Sequence, residues 1–274
     1  MSKIGFLITW KRGVNLLEKL REAKKYGFEC FQMTVWDPTG YTDELAEEIN
    51  NAVAETGVEM STLWAGWSGP HIWNFTEGPV TLGIVPVAFR MQRAEELIAA
   101  ARFATKIGVK RVATHAGFLP ENINDPEYHD IIAILRYITK KYKELGVNFL
   151  FETGQETPVA LLRIIEAIGL DNVGINLDCG NLICYGKANP SDAVRIFGKY
   201  VMDTHIKDCL YPTDGMHLGV EVKVGEGLAN FPEVIKLLKE VGYQGNFVIE
   251  REITGEQQMK DILDTKVYLE NILK

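Results

Sequence analysis

The chain alternates between two kinds of segment along its whole length. A short run of β-branched or aromatic residues is followed by a longer amphipathic run, and the pair recurs eight times. The spacing predicts strands over 3–9, 28–36, 58–63, 109–115, 147–152, 173–178, 200–207 and 246–250. It predicts helices over 14–26, 42–56, 87–107, 126–145, 158–168, 191–197, 231–241 and 256–273. Glycine stands just past many of these helices, as at Gly57 and Gly169, where a left-handed residue ends a helix without a Cβ penalty. Asp125 and Thr157 precede helices that carry proline in the first turn, which marks them as N-caps.

Strands that alternate with helices build a parallel sheet with right-handed crossovers. Eight units in 274 residues fit one α/β domain, a single closed (β/α)8 TIM barrel spanning 1–274. The alternative is an open doubly wound sheet. That fold places a glycine-rich phosphate turn after its first strand, whereas here the turn reads Thr9-Trp10-Lys11-Arg12-Gly13.

Composition narrows the functions. The formal net charge of -8 argues against a nucleic-acid partner, whose binding rests on Lys and Arg. No apolar run is long enough for a bilayer span, so no membrane partner is expected. Residues 1–8 read as a first strand and lack the features of a signal peptide. The four cysteines, Cys30, Cys179, Cys184 and Cys209, are too few and scattered for a disulfide scaffold. A cytoplasmic location with reduced thiols is therefore expected. The Cys179-x4-Cys184 spacing matches common zinc motifs poorly, so these are expected to be core or loop thiols.

In a (β/α)8 barrel, chemistry gathers at the C-terminal ends of the strands. There the predicted fifth, sixth and eighth strands end on Glu152, Asp178 and Glu250, and the seventh carries His205. Glu152, Asp178 and Glu250 each follow an apolar residue. Three carboxylates brought to one rim would repel one another, and burying them unpaired is costly. A divalent cation relieves both problems. Three carboxylates and one imidazole favour Mn2+ or Mg2+, with Co2+, Fe2+ or Zn2+ as alternatives. The competing reading is four separate caps or ion-pair residues.

The segments Phe151-Glu152-Thr153-Gly154, Asn176-Leu177-Asp178-Cys179-Gly180-Asn181, His205-Ile206-Lys207-Asp208, Gly225-Glu226-Gly227 and Val248-Ile249-Glu250 resemble the xylose isomerase-like TIM-barrel superfamily. That group includes sugar isomerases, ketose 3-epimerases, inosose dehydratases and endonuclease IV. The resemblance implies that Glu152, Asp178, His205 and Glu250 hold one metal ion, Mn2+ first. It implies that Glu152 and Glu250 are the catalytic pair, one removing a proton beside a carbonyl and the other returning one on the opposite face. It also implies a small sugar or sugar derivative as substrate and a homodimer or homotetramer.

The same residues serve epimerisation, isomerisation or loss of water, so a dehydratase of the inosose type stays open. A non-catalytic sugar-binding role stays open as well. Asn181 stands where the epimerases carry histidine, Tyr211 where they carry arginine, and Pro158 where they carry glutamate, with Glu156 nearby. Endonuclease IV adds zinc-binding histidines, one of them at the Asn181 position, which disfavours DNA repair here. Lys207 alternates onto the face of His205, where it would bind a substrate oxygen or neutralise Asp208 or a ligand carboxylate.

Trp10, Trp36, Trp64, Trp67 and Trp73 all fall at or just after the ends of the first three strands. Aromatic faces pack on sugar C–H surfaces, but such rings also plug barrel tops. Trp10, Trp64 and His115 are the expected substrate wall, with Asn181 and Lys207 as further substrate-binding candidates. The long 68–86 segment reads as a lid or pocket wall. His129 and His217 read as surface residues.

Overall fold

The computed structural model describes residues 2–274. In chain order the elements are β1 (Ile4–Trp10), α1 (Leu16–Lys25), β2 (Cys30–Val35), α2 (Asp43–Thr56), β3 (Glu59–Ala65), α3 (Gly78–Thr81), α4 (Arg90–Lys106), β4 (Arg111–Thr114), α5 (Pro126–Glu144) and β5 (Asn148–Glu152). They continue with α6 (Pro158–Ile168), β6 (Val173–Asp178), α7 (Cys179–Cys184), α8 (Pro190–Phe197), β7 (Val201–Ile206), β8 (Asp208–Leu210), β9 (Val220–Val222), α9 (Phe231–Glu240), β10 (Phe247–Ile249) and α10 (Glu256–Ile272).

The barrel closes in the order β1-β10-β7-β6-β5-β4-β3-β2, with every described pairing in it parallel. This is the expected (β/α)8 TIM barrel. The predicted caps form. Thr42, Asp125 and Thr157 accept from the first-turn amides of α2, α5 and α6, while Gly57 and Gly169 end α2 and α6 with φ of 71° and 69°. The helices bury apolar faces against the strands, for example Leu45, Ile49 and Ala52 of α2.

Four short elements carry no periodic signal in the sequence. The single-turn α3 lies in the 68–86 segment, and α7 starts immediately after Asp178. Asp208–Leu210 and Val220–Val222 pair antiparallel into a small hairpin outside the barrel. Elements of three to six residues are too short to show a period.

The cysteine expectation needs correction. Cys184 and Cys209 form a disulfide, while Cys30 and Cys179 are free and buried. The pair lies 25 residues apart in sequence, but α7 packs on β8 and brings the two Cα atoms to 5.7 Å. That proximity arises from the two short elements the periodicity does not show. No helix among the described residues is long and apolar enough to cross a membrane.

One irregularity positions the site. β6 and β7 pair Ile175 with Val201, then skip a residue so that Asn176 meets Asp203 and Asp178 meets His205. Below this level the lumen is polar. The buried Asp203 carboxylate accepts from Ser61 Oγ and Thr62 Oγ1, each at 2.7 Å, and so ties β7 to β3 across the barrel.

Candidate metal and catalytic site

Glu152, Asp178, His205 and Glu250 converge at the C-terminal rim. One ligand atom from each lies within 4.8 Å of the others, and all four residues are buried. His205 Nδ1 faces Glu250 Oε2 at 3.1 Å, Glu152 Oε1 at 3.4 Å and Asp178 Oδ2 at 3.6 Å.

Each residue is fixed by its surroundings. Asp178 caps α7 by accepting from the Asn181 amide at 2.7 Å through Oδ1, which leaves Oδ2 turned to the cluster. Gln32 Nε2 donates to Asn176 Oδ1 at 3.0 Å, so Gln32 Oε1 is the atom that faces His205 Nε2 at 2.9 Å. The Nε2 proton of His205 is thereby directed at Gln32, and Nδ1 is the ring nitrogen turned to the carboxylates. Asn176 Nδ2 in turn donates to Glu152 Oε2 at 3.2 Å. Glu152 also accepts from Trp64 Nε1 and from Asn181 Nδ2, and His115 Nε2 lies 3.3 Å from it.

Burial alone would push the Glu152 carboxyl up, but His205 and His115 outweigh it and hold the group well below the usual range. Burial likewise lifts Asp178 to about 6, against the pull of Lys207. Burial would lower the His205 imidazole, yet Glu152 and Glu250 drive it well upward. The cluster gathers three buried carboxylates around one imidazole, with the Lys207 ammonium at its edge.

The donor set passes a further test. His205 Nδ1 is buried and completes no hydrogen bond with any group of the chain, and Asp178 Oδ2 has only the Lys207 ammonium, 3.1 Å away; both turn to the point where the four residues meet. Oxygen donors with one imidazole fit a hard divalent ion.

The expected substrate-binding residues divide. Trp64, His115 and Asn181 touch Glu152. Trp64 also belongs to a wall of rings, stacking on Trp36 at 5.3 Å and meeting His115 edge-on at 5.7 Å, while Trp73 meets His115 at 5.1 Å. Lys207 is buried, with Nζ 2.9 Å from Glu250, 3.1 Å from Asp178 and 3.3 Å from Glu252. Trp10 stands apart, its ring packed toward Gly40 and Val35. The 68–86 segment is pinned by the fully buried Arg93, which donates to the carbonyls of Ser68, Pro70, Thr81 and Gly83. Gln32 and Asn176 were not among the expected residues. Their signal is a polar side chain inside an otherwise apolar strand, as in Cys30-Phe31-Gln32-Met33.

Residues 20–270 match the model of the xylose isomerase-like TIM barrel family. The chain belongs to this family. A xylose isomerase domain protein from Planctomyces limnophilus superposes with a TM-score of 0.91 at 29% identity, covering 99% of this chain and 97% of that one. An uncharacterised protein from Methanocaldococcus jannaschii is 32% identical over 58% of this chain, and the match spans only 56% of that relative's length. An L-ribulose-5-phosphate 3-epimerase from Shigella boydii is 26% identical over 85% of this chain and 81% of its own.

Proposed function

We propose that the chain is a divalent-metal-dependent isomerase or epimerase of a small sugar or sugar derivative. The observation that carries this reading is the pairing of Glu152 and Glu250 around one cluster in unlike settings. Glu152 is held by Trp64, Asn176 and Asn181 together, whereas Glu250 accepts from Lys207. Two carboxylates that face one carbon from different strands can take a proton from one side and return one from the other.

A divalent ion such as Mn2+, held by Glu152, Asp178, His205 and Glu250, would supply electrophilic polarisation of a carbonyl. The chain's own residues do the rest. Lys207, between Asp178 and Glu250, keeps Glu250 ionised and placed to accept a proton. Trp64 and Asn181 fix the Glu152 carboxylate so that its free lone pairs face inward. The Trp36, Trp64 and Trp73 rings exclude water and offer apolar faces to sugar C–H groups. A homo-oligomeric state belongs to the same reading.

The test uses protein stripped with chelator and reloaded with Mn2+, incubated in D2O with ketoses, ketose phosphates and inososes. Metal-dependent deuterium incorporation at a carbon beside the carbonyl is expected. Glu152→Gln and Glu250→Gln should each lower it by a factor on the order of 100 or more. Loss of water from the product would assign a dehydratase instead. Exchange that persists in both variants at full metal content would overturn the pairing.

A further inference from the structure

Beyond the four ligand residues, the rim holds polar atoms with no partner. The Gln155 side chain is 1% exposed, and both its amide nitrogen and its amide oxygen are buried without a hydrogen bond. The Tyr185 hydroxyl is likewise buried and unpartnered. The Gln155 amide lies close enough to the Tyr185 hydroxyl to favour its ionised form, although the pair does not reach full hydrogen-bond geometry. Leaving such groups unsatisfied is costly, so their retention needs a reason.

Their position supplies one. Gly154 separates Gln155 from the ligand segment, and a Cβ there would sit 3.3 Å from Asn181, 3.4 Å from Tyr185 and 3.5 Å from His115. Asn181 and His115 both touch Glu152. Tyr185 and Gln155 therefore continue the site outward from Glu152. Phe75, half-buried, lies edge-on to the Tyr185 ring at 6.3 Å.

A second observation concerns charge. Barrels of this kind commonly seat phosphate on backbone amides of the loops after the seventh and eighth strands. Here the amides of Gly225 and Gly227 donate to Asp208 Oδ2, and those of Cys209 and Ala229 donate to Asp208 Oδ1, at 3.0–3.1 Å. In the loop after the seventh barrel strand the chain's own carboxylate fills that cradle. Gly227 leaves no room for anything else, since a Cβ would fall 2.2 Å from Asp208 Oδ1. The neighbouring cations are also committed: Lys207 to three carboxylates, Lys187 to Glu121, and Arg251 to Glu221 and Asp261.

We propose that Gln155 and Tyr185 form a specificity subsite for the hydroxyl groups of an uncharged polyhydroxy substrate, and that the site discriminates against phosphate esters. This rests on the sugar-directed reading of the site above. An amide and a phenol each donate and accept, as a hydroxyl does, whereas a phosphate only accepts.

The test is calorimetric binding to the Mn2+-loaded protein, with L-ribulose and L-ribulose 5-phosphate as one matched pair and D-psicose and its 6-phosphate as another. Both free sugars should bind at least about tenfold tighter than their phosphates. Gln155→Leu and Tyr185→Phe should each weaken the free sugars about tenfold, with metal content and melting temperature of the free protein preserved. Tighter binding of the phosphates overturns the proposal. So does unchanged sugar binding in both variants, which would leave buried water as the sole partner of these atoms, or failure of all four probes to bind. Sugar binding that follows the expected pattern without deuterium exchange would sink the catalytic reading and leave the subsite standing.

Discussion

Asp178 and His205 face each other across β6 and β7 because the register slips by one residue below them. Continued without the slip, the pairing that starts at Ile175 and Val201 would set Thr204 opposite Asp178. A one-residue change of register moves a strand's side chains to the other face. The irregularity between Ile175 and Asn176 is thus what turns the imidazole into the lumen beside the carboxylate.

Gln32 orients that imidazole. Gln32→Met removes the acceptor for Nε2 and frees the ring to rotate or change tautomer. Mn2+ affinity should fall roughly 10–100-fold, as for other outer partners of metal-bound histidines. Calorimetric titration of the stripped protein measures it; affinity within twofold of wild type would show that Gln32 does not set the tautomer.

Glu156 gives a pH signature. Burial pushes its carboxyl up to about 7 despite the pull of His115. Between the ordinary glutamate range and 7, the native protein holds a proton that the unfolded chain releases. Stability is therefore lost as pH rises through that window. Glu156→Gln should be near neutral at pH 4.5 and stabilising by up to about 3 kcal/mol at pH 8. Urea denaturation at the two pH values reads the difference, and an equal effect at both would contradict it.

The Cys184–Cys209 disulfide closes a loop of 25 residues. In the chain-entropy account a loop of this size contributes about 3 kcal/mol. Cys184→Ser should cost about that much under oxidising conditions and little in excess dithiothreitol, judged by denaturation midpoints. Free-thiol titration of the unfolded, non-reduced protein should count two thiols, Cys30 and Cys179; four would mean the bond does not form.

Gly227→Ala forces a methyl group onto the Asp208 carboxylate and within 2.8 Å of the Cys209 carbonyl. The cradle must open and strand a buried charge, so a loss of about 3 kcal/mol is expected. Thermal unfolding of the variant tests this, and a melting temperature within a degree of wild type would rule the tight cradle out.

The barrel was legible because its signal is periodic and long. Helices such as α5 and α6 carry caps, an apolar stripe and a terminal glycine or basic turn that agree with one another. The ligand residues were legible because charge at a strand end stands out against apolar neighbours. The partnership of Gln32 with His205 was not, since it spans 173 residues and depends on barrel closure. Nor was Cys184 with Cys209, which depends on α7 and β8. Trp10 shows the reverse case: its place at a strand end matched the other tryptophans, but its ring turns outward onto Gly40.

The Gln32–Asn176 hydrogen bond joins two amides that must point in complementary directions. If either becomes apolar, the other is left with an unmatched donor or acceptor inside the lumen. The two positions should accordingly drift together among related chains. Such a coupled pair, traced through an alignment, would distinguish relatives that fix the imidazole in this way from those that share only the barrel.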